Sequence, residues 1–266
     1  MTWLQAIVLA IVQGLTEFLP ISSSGHLVLV PFFAGWTDQG LAFDVAVHFG
    51  SLLAVAVYFR RDLAQLIGGG VRVLVNRRID DVWSRLAFGI ALGTVPAALA
   101  GLAFAGWIED NLRSPNVVVV TLAFYGIAMA LADRYGRRER TVDHVTVRDA
   151  LIIGCAQALA LIPGTSRSGI TITAGRLLGL HRTDAARFSF LLSAPVILLA
   201  TGHALLSMAL SGEPVAWTMM AVSALVAAVV AYVCIDLMMR FVSRIGLLPF
   251  AVYRLLLAGV IVYAFA

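Results

Sequence analysis

The chain contains no lysine, so every one of its 19 basic residues is an arginine. This excludes a lysine Schiff base and a lysine phosphate clamp. Charge of either sign is scarce, at 13% of 266 residues against 61% hydrophobic, and the mean hydropathy is +0.93. Too little polar surface remains to cover a soluble globule of this size, and the composition reads as an integral membrane protein. Cysteine is almost absent. Cys155 and Cys234 stand alone in apolar runs without a pairing motif, and both read as small buried hydrophobes. The opening Met-Thr-Trp-Leu-Gln has neither a basic n-region nor a small-residue cleavage site and does not read as a signal peptide. In such a chain the net charge of +4 reports topology, and nucleic acid is not indicated as a partner.

What the sequence does have is a polar island within one of its most apolar stretches: residues 13–26, Gln-Gly-Leu-Thr-Glu-Phe-Leu-Pro-Ile-Ser-Ser-Ser-Gly-His. A shift of 144 positions lays it over residues 157–170, Gln-Ala-Leu-Ala-Leu-Ile-Pro-Gly-Thr-Ser-Arg-Ser-Gly-Ile, pairing Gln13 with Gln157, Ser22 with Ser166, Ser24 with Ser168 and Gly25 with Gly169. One membrane domain, 1–266, is therefore expected to contain two repeats, about 1–133 and 149–266, joined by a polar loop at 134–148. Each repeat begins with a broken apolar helix. The segments after the breaks, 27–33 and 170–180, are too short to cross about 30 Å of hydrocarbon. Irregular backbone at that depth is tolerated only where protein or a wet cavity satisfies it, which suits re-entrant hairpins. Residues 41–59, 83–106, 115–133, 185–208, 214–239 and 248–266 are long enough to span. The fold expected is all-α and polytopic, an inverted-topology repeat with six full transmembrane helices and two re-entrant hairpins.

The arginines set the orientation. Arg60, Arg61, Arg72, Arg77, Arg78 and Arg85 form one cluster, and Arg134, Arg137, Arg138, Arg140 and Arg148 form a second; both loops should be cytoplasmic. Alternation puts Arg176, Arg182, Arg187, Arg240, Arg244 and Arg254 on the same side. Arg113, beside Glu109 and Asp110, is then the only arginine in an outside loop. The first hairpin must enter from outside and the second from inside, so the broken tips should meet near the midplane.

The two tips differ in chemistry. Under the shift Glu17 faces Leu161, Ser23 faces Arg167 and His26 faces Ile170. Gln13 and Glu17, spaced i, i+4, could hold a hard divalent cation or hydrogen-bond to each other. His26 could serve as acid or base for Ser23, or be satisfied by a carbonyl. On the second tip, Gly-Thr-Ser-Arg-Ser-Gly before a helix start aims backbone N–H groups and the positive dipole end at one spot. Arg167, flanked by Ser166 and Ser168, adds a fork matched to phosphate oxygens, and Thr171 adds a hydroxyl. Ser22 and Ser24 offer the matching hydroxyls on the first tip. Asp44 and His48 form another i, i+4 pair, which either extends this site or is a structural pair; Asp44 is kept as a substrate-binding candidate and His48 is not. A carboxylate with a metal opposite an arginine at a helix N-terminus suggests phosphoryl transfer.

The stretches Gln13–His26 and Pro163-Gly-Thr-Ser-Arg-Ser-Gly-Ile-Thr171 resemble the two signature regions of the bacterial undecaprenyl-diphosphate phosphatases, the bacitracin-resistance family. The likeness extends to Phe43-Asp-Val-Ala-Val-His-Phe-Gly50 and Phe188-Ser-Phe-Leu-Leu-Ser-Ala-Pro195. It implies an enzyme of the bacterial inner membrane. The implied activity hydrolyses undecaprenyl diphosphate, a C55 isoprenyl lipid, to its monophosphate and inorganic phosphate, with dependence on Mg²⁺ or Ca²⁺ and a site facing the periplasm. It also implies roles: Gln13 and Glu17 match a (Glu/Gln)-x-x-x-Glu metal motif, Ser23 and His26 its Ser and His, and Arg167 its essential arginine, with Ser166 and Thr171 beside it. Gln13 departs from the Glu of many members, which shifts load to Glu17. Either Ser23, with His26, attacks the terminal phosphorus, or water does while Ser23 binds phosphate.

Three other readings compete. A secondary transporter or flippase of a polyprenyl phosphate lipid would explain the inverted repeats. An intramembrane serine hydrolase would leave Arg167 without a task. A second class of membrane lipid phosphatases shares only a Ser-Gly-His fragment with this chain and requires a lysine that it lacks.

Overall fold

The computed structural model describes residues 1–112, 114–211 and 216–265. Arg113 and the expected start of a span at 214 lie outside the described residues. The first hairpin consists of α1 (Trp3–Thr16) and α2 (Ser23–Ala34). The break between them, a run of turns over residues 17–21, follows from local chemistry: Pro20 cannot continue a helix. The chain restarts where Ser22 accepts a hydrogen bond from the Gly25 N–H. Next come α3 (Leu41–Tyr58), α4 (Arg60–Asn76), α5 (Val82–Leu112) and α6 (Pro115–Tyr135). The second hairpin has α7 (Val147–Ala158), a 3₁₀ turn at Leu159–Leu161, and α8 (Arg167–Leu177), restarting where Ser166 accepts from the Gly169 N–H. Finally come α9 (Arg182–Ser211), α10 (Trp217–Ile245) and α11 (Leu248–Phe265).

Among the described residues α5, α6, α9, α10 and α11 each contain a stretch long and apolar enough to cross a bilayer, and α3 with α4 makes a sixth, bent by 85°. At 18 residues α3 is about 27 Å long, close to the hydrocarbon thickness. The chain is thus a polytopic all-α membrane protein.

The segment after Phe59, expected as a loop, is the helix α4. Its Gly-Gly-Gly and arginines disguise a helical repeat of apolar residues. Leu66 and Gly69 turn inward, and Ile67, Val71, Leu74 and Val75 stay exposed. A Cβ at Gly69 would lie 2.5 Å from the carbonyl oxygen of Trp83, so only glycine lets α4 lie this close to α5. An amphipathic helix lying at a steep angle to the span before it suits the membrane interface. Asp81 ties the two together: it accepts a fork from Arg72 and caps α5 through the N–H groups of Trp83 and Ser84. Hydrogen bonds from Arg72 and Ser84 hold its carboxyl far below the usual carboxylate range.

The two halves are interlocked. α1 packs on α10 and α7 on α5, so each hairpin leans on the second span of the other half, while α6 and α11 pack together. A Cβ at Gly154 would lie 2.1 Å from the carbonyl oxygen of Gly93, which makes the α5–α7 crossing a small-residue contact.

The readings of four residues change. Arg176 and Arg182, expected only to set topology, converge on the buried Asp133: Arg182 grips both carboxylate oxygens at 2.7 and 2.8 Å, and Arg176, fully buried, adds a bond of 3.3 Å. Arg187 is paired with Asp62 at 2.6 Å. Only Cys234 is buried, whereas Cys155 is exposed, because the helical turn that sends Ile153, Gly154 and Gln157 inward carries residue 155 to the outer face of α7.

Candidate active site

The hairpin tips meet. Ser22 and Ser166, equivalent under the 144-residue shift, are non-glycine residues held at φ +76° and +69°. Such conformations cost on the order of 1–3 kcal/mol each and persist only where the surroundings enforce them. Each serine caps its helix and lies 3.3 Å from the hydroxyl two residues on, Ser24 or Ser168. Ser168 then donates to the Leu19 carbonyl at 3.0 Å, joining one break to the other.

Across this junction Arg167 Nη2 donates to Glu17 Oε1 at 2.8 Å, and the two side chains are only 13% and 5% exposed. Glu17 Oε2 accepts from Ser23 Oγ at 2.6 Å and from Gln13 Nε2 at 3.0 Å. His48 Nε2 lies 3.7 Å from the same oxygen. Arg167 Nη1 is buried without a partner. A carboxylate from one repeat and a guanidinium from the other therefore share one site, each retaining some capacity for a ligand.

Glu17, Ser23, Ser24, Asp44, Ser166 and Arg167 all line one cavity of about 350 Å³. Its other wall is apolar, formed largely by α5, the 3₁₀ turn and α9 through Ala97, Leu161, Ile197 and Ala204. The remaining candidates stand off the cavity wall. Ser22 and Ser168 serve the helix starts described above. Thr171 is 1% exposed and bonded to the Arg167 carbonyl at 2.8 Å and Ser189 Oγ at 2.6 Å, where it props the first turn of α8. Gln13 supports Glu17 from one turn below.

His26 turns away from Ser23. Its Nδ1 donates to the Ser22 carbonyl at 2.7 Å, which leaves Nε2 to accept from the Tyr253 hydroxyl at 2.7 Å. The nearest base to Ser23 is Glu17. His48, not among the sequence candidates, also lines the cavity; its i, i+4 spacing from Asp44 is the available signal, and its Nδ1 is fixed by the Asp44 carbonyl at 2.7 Å.

Arg254 requires a correction, because alternation had placed it among the cytoplasmic arginines. It is fully buried within α11 and donates to five backbone carbonyls: Leu122, Thr121, Pro20, Thr165 and Gly164. Pro20 and Gly164 are equivalent under the repeat, so one guanidinium clamps the same carbonyl of both breaks. A charge inside an apolar helix was the signal that could have revealed it. Arg254→Met keeps the bulk but leaves these buried carbonyls without donors, and a loss of about 3 kcal/mol or more is expected. Thermal unfolding in detergent checks this: a midpoint equal to wild type would show that the clamp is dispensable.

The donor set fits a hard cation. Glu17 and Asp44 line the same cavity, and Gln13 Oε1, buried beside Glu17, has no hydrogen-bond partner. Among the described residues no three His, Cys, Asp or Glu side chains converge as a metal cage. One or two carboxylates that leave the rest of the coordination shell to substrate phosphates suit Mg²⁺.

The chain is 52% identical over 266 residues to the undecaprenyl-diphosphatase of Hahella chejuensis, covering all of this chain and 99% of that one. It is also 52% identical to the undecaprenyl-diphosphatase of Nitrosococcus oceani over the full length of both, and 51% identical to that of Teredinibacter turnerae, covering 99% of each. Residues 6–260 match the family described as bacitracin resistance protein BacA, and the chain belongs to that family.

Proposed function

We infer that this chain is an integral membrane undecaprenyl-diphosphatase, releasing inorganic phosphate and undecaprenyl phosphate. By recycling the lipid carrier for peptidoglycan synthesis it would confer bacitracin resistance. The observation that carries the site assignment is the Glu17–Arg167 pair joining the two tips, with Ser23 hydrogen-bonded to the same carboxylate. Arg167 meets the phosphate oxygens with the free Nη1. Glu17 takes the proton of Ser23 as Oγ attacks the terminal phosphorus. The bond from that phosphorus to the bridging oxygen breaks, undecaprenyl phosphate leaves, and water then releases the phosphate from Ser23. His26 and Tyr253 brace the first tip. Glu17 and Asp44, which line the cavity, would hold Mg²⁺ or Ca²⁺, with Gln13 positioning Glu17 from behind the wall; the ion supplies charge neutralisation on the diphosphate when bound.

The orientation proposed is inverted repeats in the bacterial inner membrane with the cavity open to the periplasm. Asp44 lies in the first turn of α3, whose far end meets Arg60 and Arg61, and Ala204 lies late in α9, whose start carries Arg182 and Arg187. The cavity is therefore remote from the arginine-rich helix ends, which the positive-inside rule assigns to the cytoplasm. The apolar wall on α5 and α9 would receive the start of the prenyl chain.

Phosphate release from undecaprenyl diphosphate by the purified protein in detergent tests the activity, with EDTA expected to abolish it. A pure transporter would be silent there. Ser23→Ala tests the covalent route: a loss on the order of 10⁶-fold in kcat is expected for a removed serine nucleophile. Substantial remaining turnover would instead make water the nucleophile and Ser23 a phosphate ligand.

A further inference from the structure

One buried polar side chain in the cavity has no task in the scheme above. Gln157, in the last turn of α7, is 2% exposed and lines the cavity, yet neither its Nε2 nor its Oε1 has a hydrogen-bond partner. Buried amides are nearly always bonded, and an orphaned pair of atoms costs stability. The internal repeat shows what the pairing lacks. Its counterpart Gln13 donates to Glu17 one turn on, at 3.0 Å. The residue one turn on from Gln157 is Leu161, which offers nothing to an amide. The second repeat thus keeps the amide without its carboxylate, and the amide faces the same cavity as Arg167, whose Nη1 also lacks a partner.

We propose that Gln157 is a substrate-binding residue whose Nε2 donates to the lipid-side phosphate of the bound diphosphate, while Arg167 holds the terminal phosphate. This rests on the phosphatase reading. The terminal phosphorus has to lie at Ser23 and Glu17, on the first tip. Gln157 instead lines the cavity beside Ala160 and Leu161, on the apolar side proposed above to receive the prenyl chain. An uncharged donor suits this position. It binds the phosphate that stays with the lipid product without adding a second full charge that would retain the product.

Because the lipid-side phosphate remains in undecaprenyl phosphate and the terminal one leaves as inorganic phosphate, the two products report on the two subsites separately. Wild type, Gln157→Leu and Gln157→Glu are compared in detergent for steady-state turnover, product inhibition and thermal unfolding. Gln157→Leu is expected to raise KM about 10- to 100-fold, the range for a hydrogen bond to a charged group, with little change in kcat. The inhibition constant for undecaprenyl phosphate should rise in parallel, and that for inorganic phosphate should not move. Gln157→Glu should raise KM further, since it sets a carboxylate against the phosphate. The unfolding midpoint of Gln157→Leu should equal or exceed that of wild type, because an apolar side chain replaces an unsatisfied one.

An unchanged KM in folded Gln157→Leu overturns the proposal. So does a fall in stability together with activity, which marks a structural role, or weakened inhibition by inorganic phosphate alone, which places the residue on the terminal phosphate. If the wild type itself released no phosphate, the underlying phosphatase reading would fail, a result distinct from all of these.

Discussion

Arg167→Ala should lower kcat for phosphate release by about 10³- to 10⁵-fold, the range over which an arginine stabilises phosphoryl-transfer transition states. The magnitude follows from where the side chain sits. One guanidinium nitrogen is bonded to Glu17 at 2.8 Å and the other is buried and unpartnered, so the fork stands ready for phosphate oxygens before substrate arrives. In a largely water-excluded site such a fixed positive group acts at full strength and needs no reorganisation as charge develops. The same substitution strands Glu17, 5% exposed, without its cation, and breaking a buried ion pair from one side costs about 3–5 kcal/mol. Activity and unfolding temperature should therefore fall together. Arg167→Lys separates the two effects: it keeps the charge opposite Glu17 and recovers stability, but a point charge cannot reproduce the fork, so turnover stays low. Arg167→Ala retaining a tenth of wild-type kcat would contradict this placement.

Glu17→Gln should reduce kcat by about 10²- to 10⁴-fold, the contribution typical of a positioned general base. The amide is nearly the same shape: its oxygen can still accept from Arg167 at the Oε1 position, while its NH₂ at the Oε2 position can donate to Ser23 Oγ, so packing around it is kept. What is lost is the group that takes the Ser23 proton over a 2.6 Å hydrogen bond. The substitution also releases Arg167 from its counter-ion and leaves it more available to phosphate, so KM should hold or fall while kcat collapses. That split distinguishes a base from a group that serves only in substrate binding, which would raise KM. Because Glu17 is also proposed to hold the metal, Glu17→Gln should need a higher Mg²⁺ concentration for half-maximal turnover, and the KM comparison is made at saturating Mg²⁺.

The two breaks were legible in the sequence because polar residues and proline inside apolar runs have few explanations at membrane depth. The helices resume at Ser23 and Arg167, and Glu17 and Arg167 can be singled out because neither has a counterpart under the repeat. The direction of a side chain was not legible. Whether His26 faces Ser23 or a tyrosine 227 residues away depends on how α2 rotates against α11, which no local spacing encodes. The same holds for Ser22, Ser168 and Thr171, whose hydroxyls bond within the hairpin tips. Arg254 was hidden by a different mechanism: hydropathy assigns each arginine to the nearest membrane face, whereas this one is held inside by carbonyls of both hairpin breaks and of α6. The amphipathic α4 is masked by its glycines, because the close approach of Gly69 to Trp83 that requires one of them is a tertiary contact.

The most direct test is a double-mutant cycle on phosphate release, comparing wild type, Glu17→Gln, Arg167→Ala and the double variant in detergent with Mg²⁺. If the two tips form one catalytic unit, the losses are strongly non-additive, and the double variant is scarcely slower than Arg167→Ala alone. Losses that multiply independently would mean that Glu17 and Arg167 act at separate sites, and the shared site built from the two repeats would have to be abandoned.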